Sequence, residues 1–276
     1  MSPPSQNRRV FAVAGDPVAQ SLSPRMHNAA IAALGLDAVY VAARTTAPAF
    51  PALVRSLLAD GGGLNVTMPF KSDAARLLHW PSDAVKFSDA CNTIWGDADE
   101  PKGDNTDIFA IQTVAATLMD GEPVRFVRLI GTGSSARSAA LAVDAEWPDA
   151  VMHVVSRDPA RAAAFVEWAG SRGLHGATTT APARRSIDLA IAATPFDALG
   201  RDYGPGALER DAPPRVLMDL VYAPGGSPLV RAVPAERVLD GRGVLVAQGA
   251  ASFRHFFGVE PPVAVMREAV EDALGR

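Results

Sequence analysis

Short β-branched or aromatic runs alternate with helical segments along nearly all of this 276-residue chain, and that alternation leaves few folds open. The run "RVFAVAG" at 9–15 stops at a glycine. "SPRMHNAAIAALGL" at 23–36 then reads as a helix, with Ser23 as its cap, Pro24 in the first turn and Gly35 as its stop. "AVYVAA" (38–43) is a second strand, "AFPALVRSLLADG" (49–61) a second helix, and "GLNVTM" (63–68) and "CNTIW" (91–95) are further strands. A helix from Thr106 through Leu118 closes this half. Such βα alternation predicts a mostly parallel sheet with helices on its faces.

The pattern restarts at "VRFVRLIGTGSSARSAALAV" (124–143), a strand, a glycine turn and a helix. "VMHVVSR" (151–157), a helix at 159–173, "SIDLAIAATP" (186–195) and "RVLMDLVY" (215–222) continue it, and the C-terminal stretch is helical with a break at Gly258 and Pro261–Pro262. The expectation is an α/β protein of two domains. Residues 1–105, completed by 245–276, form an α/β domain with a parallel-type sheet, and 106–244 form a Rossmann-like domain, with a cleft between the two. The junction runs through the helix at 106–120, since no low-complexity linker interrupts the chain.

Composition narrows the function. Hydrophobic residues make up 48% and charged ones 20%, which is globular, and the net charge of −4 gives no electrostatic reason to expect nucleic acid. No apolar run approaches the ~20 residues that span a bilayer, and no secretory signal is expected behind the first arginines. Cys91 is the single cysteine, so no intrachain disulfide forms, which suits a reducing cytoplasm. His27, His79, His153, His175 and His255 lack metal-ligand spacing, so no metal is expected.

"LIGTGSSARSAA" follows a strand and opens a helix. Gly131 permits the tight turn, and Gly133 lets backbone approach a pyrophosphate at the helix N-terminus, with Ala136 where the looser fingerprint tolerates it. Ser134 and Ser135 complete the loop. The next strand ends in "SRDPAR", where Ser156, Arg157, Asp158 and Arg161 face an adenosine ribose. Arg157 and Arg161 favour a 2′-phosphate, whereas Asp158 either accepts from a free 2′-hydroxyl or caps the helix that starts at Pro159.

Two polar stretches, "GGLNVTMPFK" (62–71) and "GDNTD" (103–107), interrupt an otherwise apolar half. Lys71 is a candidate general acid/base and Asp107 a candidate partner. Asn65, Thr67, Asn92, Asn105 and Thr106 supply neutral donors and acceptors of the kind that hold a small polyhydroxylated ligand. The same residues also serve ordinary turns, and spacing alone leaves that choice open.

With these motifs in order, the chain resembles the shikimate/quinate dehydrogenase family over nearly its whole length. "GDPVAQSLSPRMHN", "GLNVTMPFK", "NT" at 92–93, "GDNTD", "IGTGSSARS", "ATP" at 193–195, "MDLVYAP" and "LVAQGAASFRHFFG" each resemble a family motif. The resemblance implies that Ser21 and Ser23 bind the substrate carboxylate, with Tyr222 near it. It implies that Asn65 and Thr67 contact ring hydroxyls, that Asn92 and Gln248 complete the hydroxyl-binding ring, and that Lys71 and Asp107 form the catalytic pair. Thr194 joins the cofactor side. The implied cofactor is NADP or NAD, with a lean to NADP, and the implied substrate is a hydroxylated cyclohexene or cyclohexane carboxylate. A cytoplasmic monomer or homodimer is expected.

Departures from the family pattern are Ile108, Phe109 and Ala110 where glycines are common, "DACNT" before the asparagine–threonine pair, Asp197 after "TP", and "FFG" at 256–258. They keep two alternatives in view: a paralogue with altered substrate, and a non-catalytic metabolite or nucleotide sensor on the same fold.

Overall fold

The computed structural model describes residues 8–180, 187–194 and 213–275. The chain divides into two compact units, one formed by 1–106 with 245–276 and the other by 107–244.

The first unit is built on a six-stranded sheet in the order β2-β1-β3-β5-β6-β4. Its strands are β1 (Arg9–Gly15), β2 (Ala38–Arg44), β3 (Gly63–Val66), β4 (Trp80–Pro81), β5 (Thr93–Gly96) and β6 (Pro101–Asp104). β1 runs parallel to β2 and β3, whereas β5 is antiparallel to both β3 and β6. The two short strands β4 and β6 carry no β-branched run, which is why the sequence pattern does not announce them.

Alternation along β1 and β3 sorts the two faces of this sheet. Ala12, Ala14, Leu64 and Val66 pack with Phe50, Val54 and Leu58 of α2 (Phe50–Ala59). Phe11 turns the other way, onto Phe256 and Phe257 at ring-centroid distances of 5.0 and 4.6 Å. These two phenylalanines end α9 (Arg242–Phe257), and they account for the departure at 256–258 as core packing. Gly258 follows with φ +66 and breaks the helix before α10 (Val263–Leu274), as the sequence predicts. Asn65 lies between Leu64 and Val66, so its side chain shares the face of Phe11 and α9.

One local expectation is corrected. Ser23 does not cap α1 (Ser23–Ala33): it is the first helical residue, and Leu22 holds the cap position without a side-chain bond. As the first helical residue, Ser23 sits one place past the cap position, whose side chain is the one that reaches the free amides two and three residues ahead. Ser21 supplies an oxygen instead, accepting from the Ser23 amide at 3.3 Å.

The second unit has its own six-stranded sheet, in the order β12-β11-β10-β7-β8-β9. Its strands are β7 (Phe126–Ile130), β8 (Val151–Val155), β9 (Ala177–Thr178), β10 (Leu189–Ala192), β11 (Val216–Asp219) and β12 (Arg237–Leu239), and every pairing is parallel. α5 (Thr106–Met119) leads into this unit, α6 (Ser134–Glu146) and α7 (Pro159–Ser171) follow β7 and β8, and α8 (Pro228–Ala232) precedes β12. The order reverses between β7 and β10, which is the point where doubly wound sheets bind their ligands. Among the described residues no helix is long and apolar enough to cross a membrane, and no cluster of metal-ligating side chains occurs.

Candidate active site

In the first unit the sheet register itself assembles a polar row. Asn65 stands opposite Thr93, and Thr93 stands opposite Asp104 on the next strand. The Asn65 side-chain nitrogen donates to the Asn92 carbonyl at 3.1 Å, and it lies 3.0 Å from Thr93 Oγ1 and 2.8 Å from Ser252 Oγ. Thr93 Oγ1 donates to Asn92 Oδ1 at 2.9 Å. Asn92 Oδ1 also accepts from the Thr106 amide at 2.9 Å, and its nitrogen reaches Thr106 Oγ1 at 3.0 Å and Gln248 Oε1 at 3.5 Å. Thr106 and Ser252 hydroxyls both donate to the Gln248 carbonyl. Asn65, Asn92, Thr93, Thr106 and Ser252 are all buried. A buried polar network is tolerated only when its members satisfy one another, and this one is densely connected.

Four of the sequence-predicted residues, Asn65, Asn92, Thr106 and Gln248, thus meet in one network. Lys71 is the first residue of α3 (Lys71–Arg76) and is half-buried, and its carbonyl accepts from the amide of Cys91, the neighbour of Asn92. A positive charge at that end of a helix gains nothing from the exposed amides there. Asn105 is buried and donates to Ser88 Oγ, 17 residues earlier in the chain, which ties the turn before Thr106 to that segment. Asp107 is half-buried in the first turn of α5, one residue beyond the anchored Thr106. Ser21 and Ser23 stand at the N-terminal end of α1, away in sequence and on a different element.

Thr67 follows β3 and is packed from behind by Gly15: a Cβ at Gly15 would lie 2.3 Å from Thr67 Cγ2. That glycine stands in a motif but receives no role from the sequence reading, and neither do Tyr40, Thr93 or Ser252. Ser252 had a faint signal, standing four residues after Gln248 on one helix face. Tyr40 had none, because its partner is 25 residues away on another strand.

Two neighbouring acid groups are tuned by their surroundings. Asp104 is held below the usual carboxylate range: burial pushes it up, but hydrogen bonds from His255, Ser82 and the Asn105 amide prevail. The His255 ring also stacks on Trp95 at 4.0 Å. Burial pushes the Cys91 thiol up to about 12, so it is an inert core group.

In the second unit the expected cofactor residues line the C-terminal ends of the strands. Gly131 follows β7 with φ +116, and a Cβ there would sit 3.0 Å from the Ala193 carbonyl oxygen and 3.3 Å from Thr194 Cβ. Gly131 and Thr194 are therefore brought together at the switch point. Gly133 occupies the cap position of α6, offers no side-chain bond and has open space where a Cβ would project. Ser134 and Ser135 begin the helix behind it.

Ser156 follows β8 and its hydroxyl accepts from the Asp158 amide at 3.3 Å. Asp158 caps α7, accepting from the Ala160 amide at 2.9 Å, and its second oxygen lies 3.8 Å from Arg161. Arg157 and Arg161 are exposed. Tyr222 is half-buried, three residues beyond β11. Pro195 and Asp197 lie outside the described residues.

A glycine turn whose Gly131 leaves little room for a Cβ, an uncapped helix start at Gly133 and a pair of arginines at the next strand end fit the pyrophosphate and ribose of a dinucleotide. Together with the hydroxyl- and amide-rich network, they define a two-unit α/β protein of the nucleotide-dependent oxidoreductase class. The chain belongs to the shikimate dehydrogenase family. Residues 13–94 match the shikimate dehydrogenase substrate binding domain, and 241–271 match the shikimate 5'-dehydrogenase C-terminal domain. It is 33% identical, over 97% of its length and 99% of the relative's, to the shikimate dehydrogenase (NADP(+)) of Methanosarcina barkeri. Among solved structures it is similar to the shikimate 5-dehydrogenase of Thermus thermophilus in complex with NADP(H) and shikimate, with TM-score 0.76 and 30% identity over 96% of this chain and 99% of that one. It is also similar to the quinate dehydrogenase of Corynebacterium glutamicum in complex with NAD, with TM-score 0.80 and 25% identity over 95% and 98% of the two chains.

Proposed function

We propose that this protein is an NADP-dependent shikimate dehydrogenase that interconverts shikimate and 3-dehydroshikimate. The observation that carries the reading is the buried network joining Asn65, Asn92, Thr106 and Gln248, whose chain neighbours include Lys71's hydrogen-bonded partner Cys91. Amides and hydroxyls gathered at strand ends discriminate a polyhydroxylated ring by orientation, because each hydroxyl must find its own partner.

NADP(H), when bound, supplies or accepts the hydride. Gly131, Gly133, Ser134, Ser135 and Thr194 are the residues that hold its pyrophosphate side, and Ser156, Arg157 and Arg161 its phosphorylated ribose. Lys71 moves the proton of the reacting hydroxyl, and Asp107 is the carboxylate that keeps the ammonium oriented. Ser21 and Ser23 bind the substrate carboxylate with Tyr222, while Asn65, Thr67, Asn92 and Gln248 read the ring hydroxyls. Residues 1–105 with 245–276 act as the substrate domain and 106–244 as the cofactor domain. The working assembly is a cytoplasmic monomer or homodimer, a matter for light scattering and fractionation.

The test is spectrophotometric. Shikimate with NADP+ is expected to generate reduced nicotinamide, with quinate and NAD+ as parallel arms. Turnover of quinate alone would reassign the substrate to the quinate branch of the family. Binding of shikimate and NADP+ without reduction in any arm would sink the enzyme reading and leave a sensor.

A further inference from the structure

Tyr40 is 1% exposed, and its phenolic oxygen lies 2.7 Å from Asn65 Oδ1. The atoms of that amide are fixed by their other neighbour. The Asn92 carbonyl is an acceptor only, so the Asn65 atom 3.1 Å from it is the nitrogen, and the oxygen faces Tyr40. The phenol therefore donates. Burial raises the Tyr40 pKa well above its ordinary value, which keeps that proton in place.

Counting the remaining capacity of Asn65 gives its chemistry. One amide hydrogen serves the Asn92 carbonyl and the other the Thr93 and Ser252 hydroxyls. Tyr40 occupies one of the two Oδ1 lone pairs. A single acceptor is left. A hydroxyl can donate to it, whereas a ketone oxygen has no proton to give.

Tyr40 is itself held by two consecutive residues of α1. Asn28 clamps its backbone, donating to the Tyr40 carbonyl at 2.8 Å and accepting from the Tyr40 amide at 2.9 Å. His27 stacks on the phenol at 4.2 Å with an interplanar angle of 4°. Burial pushes the His27 pKa down to about 3, so the stacked ring is neutral and brings no charge against the phenol. Neither ring nitrogen has a hydrogen-bond partner among the described residues, which leaves stacking as the contact that explains this histidine.

We propose that Tyr40 is a positioning residue for Asn65. Its hydroxyl fixes the orientation of the Asn65 amide and leaves one acceptor, which selects a ring hydroxyl that stays a hydroxyl in both the oxidised and the reduced substrate. His27 and Asn28 keep Tyr40 in that place. The inference rests on the reading of Asn65 as a substrate-binding residue.

The experiment is a double-mutant cycle of Tyr40→Phe and Asn65→Ala, with steady-state kinetics on shikimate and NADP+. Tyr40→Phe is expected to raise the shikimate KM about tenfold, with kcat within about twofold and the NADP+ KM unmoved. Asn65→Ala raises the shikimate KM further, and adding Tyr40→Phe to it changes nothing more. An unchanged shikimate KM in Tyr40→Phe, or an effect that persists undiminished in the Asn65→Ala background, overturns the positioning role alone. An unchanged KM in Asn65→Ala overturns the substrate role of Asn65 and the proposal with it. Should Tyr40→Phe give no folded protein, Asn28→Ser, which loosens the clamp on the Tyr40 backbone, is read in the same cycle by the same criteria.

Discussion

Asp158 accepts a hydrogen bond from the Ala160 amide at 2.9 Å, so its carboxylate is turned onto its own helix. The sequence leaves two uses for this aspartate open, capping α7 or bonding a free ribose hydroxyl, and the cap is the one observed. A carboxylate occupied in this way competes less with Arg157 and Arg161 for the character of the strand end. On the proposed reading of this strand end as the ribose site, that arrangement favours a phosphorylated ribose. Its second oxygen still lies 3.8 Å from Arg161 and offsets part of that charge.

Asp158→Ala is therefore expected to do two separable things. Loss of the cap costs about 1 kcal/mol of stability. Release of Arg161 raises the preference for NADP+ over NAD+ by a few-fold. Parallel kinetics with both cofactors on parent and mutant decide the point. Selectivity that does not move, or that shifts towards NAD+, would show that Asp158 does not govern the ribose end.

Lys71→Ala is expected to lower kcat by about 10²–10⁴ while leaving the NADP+ dissociation constant unchanged. The measurement pairs single-turnover rates with cofactor titration. Retention of parental turnover removes Lys71 from the proton path.

Gly15→Ala places a methyl 2.3 Å from Thr67 Cγ2 and 3.0 Å from the Met68 carbonyl oxygen. The turn after β3 has to shift, and Thr67 shifts with it. A rise in the shikimate KM is expected together with a loss of about 1–3 kcal/mol in stability. A mutant that unfolds more easily but binds shikimate normally would separate Thr67 from the substrate.

Asp219, at the end of β11, is pushed up to about 6 by burial, against bonds from Ser227 and the Val221 amide, with Asp240 adding to the rise. Its folded pKa exceeds its unfolded one, so its contribution is full below the ordinary value of 3.8 and is lost as pH climbs through about 6. Asp219→Asn is expected to flatten this fall and to stabilise the protein above neutrality by about 2 kcal/mol. Thermal midpoints of parent and mutant across pH about 4 to about 8 provide the check. Parallel curves would contradict it.

Asp104 carries the opposite sign. Its pKa is depressed, so its stabilisation is present above the ordinary value of 3.8 and is lost as pH falls through the lower folded value. Asp104→Asn should lower the thermal midpoint at neutral pH and blunt the acid-side decline. An acid limb identical to the parent's would show that the bonds from His255 and Ser82 are not coupled to folding.

Local physics made much of this protein legible from its sequence. Periodicity and terminal signals gave β1, β2, α6, α7 and the break at Gly258, because steric preference and amphipathic burial act over a few residues. The glycine turn at Gly131 was readable for the same reason, since its φ of +116 is a local requirement. The short strands β4, β6, β9 and β12 were not, because two to four residues held by neighbouring strands carry little signal of their own. What the tertiary structure alone decided is which polar groups meet. Register set Asn65 opposite Thr93, α9 brought Ser252 onto both, and the phenol of Tyr40 was delivered to Asn65 from another strand. Hydrogen-bond partners separated by 25 to 187 residues leave no periodic trace, because only the folded sheet brings them within reach.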